Sequence, residues 1–153
     1  MLKNLCYYKE YEEYGKYVDK VFEDVSLGIN QVVLENYLKR RNITANIIYR
    51  SSYSEEDEQI LKETELAILD IDLKGSSING IELAQKMRKM NPYTAFIFVT
   101  AHIKFAYAAD KIHLSGFLGK PLNQYDFRDS MDRAIALVNG YRIMNYNNNM
   151  NYN

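Results

Sequence analysis

The chain alternates short apolar runs with segments of helical period, and that order leaves few architectures open. ELAILDI and TAFIFVT are each too short for a helix and lack the polar alternation of a half-exposed strand, so both read as strands covered on two faces. ANIIYRSS before them and SGFLG after them read the same way. Between these runs lie helical segments: INQVVLENYLKRRN, SEEDEQILKE, GIELAQKMRKMN, KFAYAADKIH and QYDFRDSMDRAIALV. Ile81, Ala84 and Met87 fall on one helical face, as do Phe127, Met131, Ile135 and Val138. Ser54 with Asp57, and Asn79 with Glu82, mark helix starts, Pro92 stops a helix, and Gly140 stands past the end of the last one. Strand, helix, strand repeated in this way predicts an α/β fold, a doubly wound five-stranded parallel sheet sandwiched between helices in three layers.

The two ends of the chain are less regular. Residues 1–15 are rich in Tyr and Glu and read as an N-terminal extension, residues 16–140 as the folded domain, and the Asn-dominated residues 141–153 as a disordered tail or linker stump. Two segments compete for the first strand. YVDKVF leaves loops of ordinary length and places Glu23 and Asp24 at its carboxyl end, which favours it. LKNLCYY is the alternative, and it would put Tyr7 and Tyr8 where those acids stand.

Composition excludes several classes of function. At 153 residues the chain holds one buried core, and a net charge of −1 with 25% charged residues offers no basic face for a nucleic-acid backbone, so direct nucleic-acid binding is not expected. The single cysteine, Cys6, forms no disulfide framework and has no zinc-ligand spacing around it. No apolar run is long enough to cross a membrane and the first residues are too polar for a signal peptide, so the expected location is cytoplasmic.

In an open parallel sheet, ligands bind in the crevice beyond the carboxyl ends of the strands. Asp70 closes one strand, Thr100 closes the next, and Lys120 follows the last. With YVDKVF as first strand, Glu23 and Asp24 join them, and acids crowded together in this way call for a divalent cation, Mg²⁺ because the site is all-oxygen with few protein ligands. A carboxylate, a hydroxyl, an ammonium and a metal ion suit transfer of a phosphoryl group onto Asp70, with Thr100 and Lys120 holding the phosphoryl oxygens.

The ordered set ED at 23–24, LDID at 69–72, FVTAH at 98–102 and GKP at 119–121 resembles the receiver domain of bacterial response regulators over roughly residues 17–138, most closely the receivers of LytTR-type regulators. The resemblance implies a flavodoxin-like fold and a two-component signalling domain rather than an enzyme, phosphorylated by a sensor histidine kinase. It makes Asp70 the phosphoacceptor and assigns Mg²⁺ to Glu23, Asp24, Asp70 and the backbone carbonyl of Asp72. Thr100, Ala101 and Lys120 become phosphate-binding residues, Phe117 the aromatic that turns with Thr100, and Lys120-Pro121 a cis peptide. It further implies a dimer or partner surface on the fourth predicted helix, the fifth strand and the fifth helix, and an output domain or downstream protein. The stretch LKGSSING departs from the family, being longer and without its usual proline. Two other readings stand beside this one. A pseudo-receiver would keep the fold and take no phosphate, and a haloacid-dehalogenase-type phosphohydrolase would use the DxD of Asp70 and Asp72.

Overall fold

The computed structural model describes residues 1–9, 28–73, 75–101, 116–120 and 122–151. Its sheet has five parallel strands in the order β2-β1-β3-β4-β5. They are β1 (Leu2–Tyr8), β2 (Ala45–Arg50), β3 (Leu66–Asp70), β4 (Ala95–Thr100) and β5 (Gly116–Gly119). The helices are α1 (Gly28–Arg40), α2 (Glu58–Lys62), α3 (Gly80–Met90) and α4 (Gln124–Asn151), with a single 3-10 turn at Glu55–Asp57 before α2.

The first strand corrects the favoured sequence reading. LKNLCYY, not YVDKVF, holds the central place between β2 and β3, so residues 1–15 contain an integral strand and are no extension. Residues 17–22 lie outside the described residues. Burial decides the matter: Leu5, Cys6, Tyr7 and Tyr8 are all inaccessible, Leu5 and Tyr7 on one face and Cys6 and Tyr8 on the other. A central strand covered on both faces needs an unbroken apolar run, which the Asp19-Lys20 pair of YVDKVF could not supply. Asn4 sits in the left-handed region at φ 47°, where the register against β2 shifts, and its side-chain oxygen accepts a 2.7 Å bond from Asn46. The nineteen residues between Tyr8 and Gly28 are what hid the strand, because the sequence reading favoured connections of ordinary length.

The two faces of the sheet are covered by different helices. Leu34, Tyr37 and Leu38 of α1 pack with Phe127, Met131, Ala134 and Val138 of α4 over Leu5, Tyr7, Ile68 and Ile97. On the other side Leu61 of α2 and Ile81, Leu83, Ala84 and Met87 of α3 cover Cys6, Leu69, Phe96 and Phe98. Asn79 caps α3 in the reciprocal pattern expected: its side chain accepts from the Glu82 N–H at 2.9 Å while Glu82 accepts from the Asn79 N–H at 3.2 Å. Gly80, at the first turn of α3, is required sterically, since a Cβ there would lie 2.3 Å from the Asp70 carbonyl oxygen.

The C-terminal segment also departs from expectation. Helix α4 runs through Gly140 to Asn151, so residues 141–151 form ordered helix instead of a tail. Asn is a poor helix former, and what holds this segment is tertiary. Arg142 grips Glu65 through two bonds of 2.5 and 2.6 Å and also donates to the Met1 carbonyl. Tyr141 packs edge-on against Tyr93, whose hydroxyl accepts from Asn148 at 2.7 Å. Burial alone would raise the Glu65 carboxyl, but the bonds from Arg142 and from the Lys3 N–H outweigh it and hold it below the usual carboxylate value.

Because the folded-state pKa of Glu65 is depressed, its stabilising contribution is fully present above the ordinary glutamate value and is lost as pH falls from there through the lower folded-state value. Arg142→Ala is therefore expected to cost about 1–2 kcal/mol in urea denaturation at neutral pH, with the gap closing below about pH 4. Amide exchange should speed up selectively over residues 141–151. For Gly80→Ala, the clash with the Asp70 carbonyl predicts a loss of about 1–3 kcal/mol.

Candidate functional site

The carboxyl ends of β3, β4 and β5 converge as the sequence led one to expect. Asp70 ends β3 and is buried, and Thr100 ends β4, also buried. Lys120 directly follows β5, and its backbone N–H donates to the Thr100 carbonyl at 2.9 Å. That bond carries the β4–β5 pairing one residue past the strand and fixes where the lysine stem begins. Adjacent strands lie about 4.8 Å apart, so the four-carbon stem is long enough to cross the end of β4 and reach Asp70 on β3. The Lys120 ammonium meets the Asp70 Oδ2 at 2.5 Å. The other carboxylate oxygen, Oδ1, accepts from the Asp72 backbone N–H at 3.2 Å. Both oxygens of Asp70 are thus engaged, and its side chain is only 4% exposed against 23% for Lys120.

The chain turns sharply after Asp70. Ile71 donates to the Val99 carbonyl and accepts from the Gly80 N–H, both at 3.0 Å, which folds the loop back on β3. Ile71 and Leu73 are buried, and Gly75 takes φ 79°. Ser76 ties the loop to the neighbouring crossover by accepting from the Tyr53 N–H at 3.1 Å. The proline-free LKGSSING stretch is therefore anchored by apolar burial on one side and a serine on the other.

Thr100 and Phe117 lie toward the same side of the sheet. Phe117 pairs with Phe98, Thr100 is two residues beyond Phe98, and the half-buried Phe117 packs on the cluster under α2 and α3. Ala101 is exposed just past Thr100. Glu23 and Asp24 lie outside the described residues, as do the fourth predicted helix at 104–113, His102, His113 and Pro121 of the Lys120-Pro121 peptide.

At the end of β1 the structure places Tyr7 and Tyr8, which the favoured reading missed. Tyr7 stacks on Tyr49 with ring centroids 6.1 Å apart, and burial, then the nearby Asp70 carboxylate, then Tyr49 push its phenol well above the usual range. Tyr8 faces the opposite side and its hydroxyl donates to Asp57 at 3.5 Å, while Arg50 holds the same carboxylate at 3.1 Å. The signal for this pair was the competing LKNLCYY register, whose consequence was visible in the sequence.

These donors do not by themselves fit a divalent cation. Among the described residues no three Asp, Glu, His or Cys side chains group as metal ligands. Asp70 is paired with Lys120 and Asp57 with Arg50, so a cation at either carboxylate would compete with a basic side chain already there. No described helix is long and apolar enough to cross a membrane.

Comparison with known proteins fits this geometry. A family model described as response regulator receiver domain matches residues 29–132, beginning after β1. The sensory transduction protein LytR of Staphylococcus epidermidis is 32% identical over 116 residues, covering 74% of this chain and 44% of that protein. LytR of Staphylococcus haemolyticus is 36% identical over 103 residues, covering 66% of this chain and 38% of that protein. The chain thus spans less than half the length of these relatives. Among solved structures, a response regulator receiver domain protein from Clostridium thermocellum superposes with a TM-score of 0.65 at 18% identity, covering 94% of this chain and 99% of that one. A response regulator from Burkholderia pseudomallei, solved with a phosphorylated aspartic acid, a calcium ion and citrate, gives a TM-score of 0.52 at 16% identity over 83% of this chain and 64% of that one. The match over two thirds of the chain sets the phosphohydrolase alternative aside: this chain belongs to the response-regulator receiver domain family, the signalling domains of two-component systems, related to LytR- and LytT-type regulators and not itself an enzyme.

Proposed function

We propose that this receiver takes its signal as a phosphoryl group on Asp70, delivered by a sensor histidine kinase. The observation that carries the reading is the meeting of Asp70, Thr100 and Lys120 at one end of the sheet, with a lysine ammonium already on the carboxylate. In the reaction an Asp70 oxygen attacks phosphorus and forms a P–O bond as the donor's P–N bond breaks. The electron pair of that bond goes to the imidazole nitrogen, which then takes up a proton from solvent. Lys120 moves its charge from the carboxylate to the phosphoryl oxygens, a charge-assisted contact that strengthens as negative charge gathers there. The Thr100 hydroxyl, at the neighbouring strand end, is the other group of suitable chemistry, with the Ala101 backbone beside it.

Phosphorylation would replace one neutralised carboxylate by a group of nearly two negative charges. Drawing Lys120 and Thr100 toward that group would open space on the face that Thr100 shares with Phe117, and Phe117 would turn into it. In this reading the partner or dimer surface is formed by the segment predicted as the fourth helix together with β5 and α4, and the recipient of the signal is an output domain or a downstream protein. Magnesium is the ion that the family resemblance implies. Here it would have Asp70 and the Asp72 carbonyl, with Glu23 and Asp24 as the remaining ligands, and those two acids do not close β1.

The second reading is a phosphate-independent interaction module, and the tyrosine pair at the end of β1 is what favours it. Intact mass spectrometry after incubation with acetyl phosphate separates the two. One phosphoryl group on the native protein and none on Asp70→Asn is the expected result; an unmodified native protein, with and without Mg²⁺, would transfer the argument to the second reading. Lys120→Met is expected to slow adduct formation by at least about ten-fold. The same substitution leaves a buried carboxylate without its cation and should destabilise the fold by about 3 kcal/mol, while Asp70→Asn with Lys120→Met should be less costly than the two single changes added together.

A further inference from the structure

We infer that the Asp70 crevice is a lysine-balanced site that works without a bound divalent cation: Lys120 supplies the positive charge, and the tyrosines ending β1 close the side from which further metal ligands would come. The inference deepens the reading of Asp70 as phosphoacceptor and rests on it for the chemistry, though not for the metal.

Three observations converge. First, both carboxylate oxygens of Asp70 are already engaged, Oδ1 by the Asp72 N–H and Oδ2 by the Lys120 ammonium, which occupies the carboxylate as a counter-ion. A cation would have to drive off an ammonium ion from a site that is nearly closed to water, and in that low-dielectric setting the exchange opposes two like charges. Second, the end of β1 brings aromatic rings to the sheet where a carboxylate would be needed. Tyr7 is wedged against Tyr49, and the Tyr8 hydroxyl is turned to the opposite face and spent on Asp57. Third, among the described residues the acid beside the end of β1 is already matched, since the Arg50 guanidinium that ends β2 forks onto Asp57 at 3.1 and 3.4 Å. The strand ends of β2 and β5 thus each bring a cation onto a carboxylate, Arg50 onto Asp57 and Lys120 onto Asp70.

A site balanced in this way would recognise the phosphoryl group as an anion, through Lys120 and neighbouring hydroxyl and backbone donors. The transfer written above is complete without a metal: the carboxylate oxygen bonds to phosphorus, the leaving group departs with its electron pair, and Lys120 offsets the added charge.

Titration of the full chain with MnCl₂, followed by water-proton relaxation and by calorimetry, tests this directly. Absence of saturable binding below about 1 mM is the expected result. Saturable binding that Asp70→Asn abolishes would overturn the proposal, and its loss on Glu23→Gln with Asp24→Asn would return the ion to that acidic pair. In parallel, the rate of phosphoryl adduct formation from acetyl phosphate is measured in EDTA and in MgCl₂. Rates within about two-fold of each other support the inference, and an adduct formed only with Mg²⁺ refutes it. If no adduct forms under either condition, the phosphoacceptor reading fails, and the Mn²⁺ titration still decides on the metal. A Tyr7→Asp, Tyr8→Asp variant, checked for folding by circular dichroism, should gain Mn²⁺ binding; since both tyrosines are buried, the single Tyr7→Asp change, on the side that feels the Asp70 carboxylate, serves where the double variant does not fold.

Discussion

Everything in this molecule is hung on β1. Its backbone pairs with β2 on one side and β3 on the other, and its side chains enter both apolar clusters, so its removal would cut β2 from the sheet and open both cores together. A strand in that position must be apolar along its length up to the point where the crevice begins. In this chain the run continues through Tyr7 and Tyr8, and the aromatic pair that completes the core also forms a wall of the site. Core packing and site chemistry meet at the same two residues.

That coincidence sets the electrostatics. An aspartate at a strand end can be kept charged in a closed place by a metal ion, by hydrogen-bond donors or by a basic side chain. The described residues around Asp70 use the last two, with the ammonium arriving from β5 over the top of β4 and an amide from the loop below. The Lys120 backbone bond to Thr100 matters as much as its charge, because it makes the length of the lysine stem equal to the task of reaching the second strand away.

Much of this was legible in the sequence, for identifiable reasons. LAILD and AFIFVT are so uniformly apolar that only a doubly covered strand suits them, and the box of Asn79 and Glu82 fixed the start of α3 to the residue. The position of Asp70, Thr100 and Lys120 followed at once from the strand ends. The first strand was misread because preference for ordinary loop lengths outweighed a continuous buried run. The Asn-rich end was misread because composition reports what a segment can do alone, and says nothing of Glu65 and Tyr93 waiting on distant parts of the chain. In both cases a long-range contact overrode a local rule.

The long last helix has a mechanical consequence. It begins four residues after Lys120, at the pole of the sheet that carries Asp70, and its final turns are clamped to Met1, Glu65 and Tyr93 at the opposite pole. Twenty-eight residues of helix make a rod of about 42 Å. Such a rod does not fade a movement with distance as a loop would: a tilt of about 5° at its start carries its far end by roughly 4 Å. The two poles of the domain are joined by a lever, and any rearrangement beside Lys120 is also a displacement at Arg142.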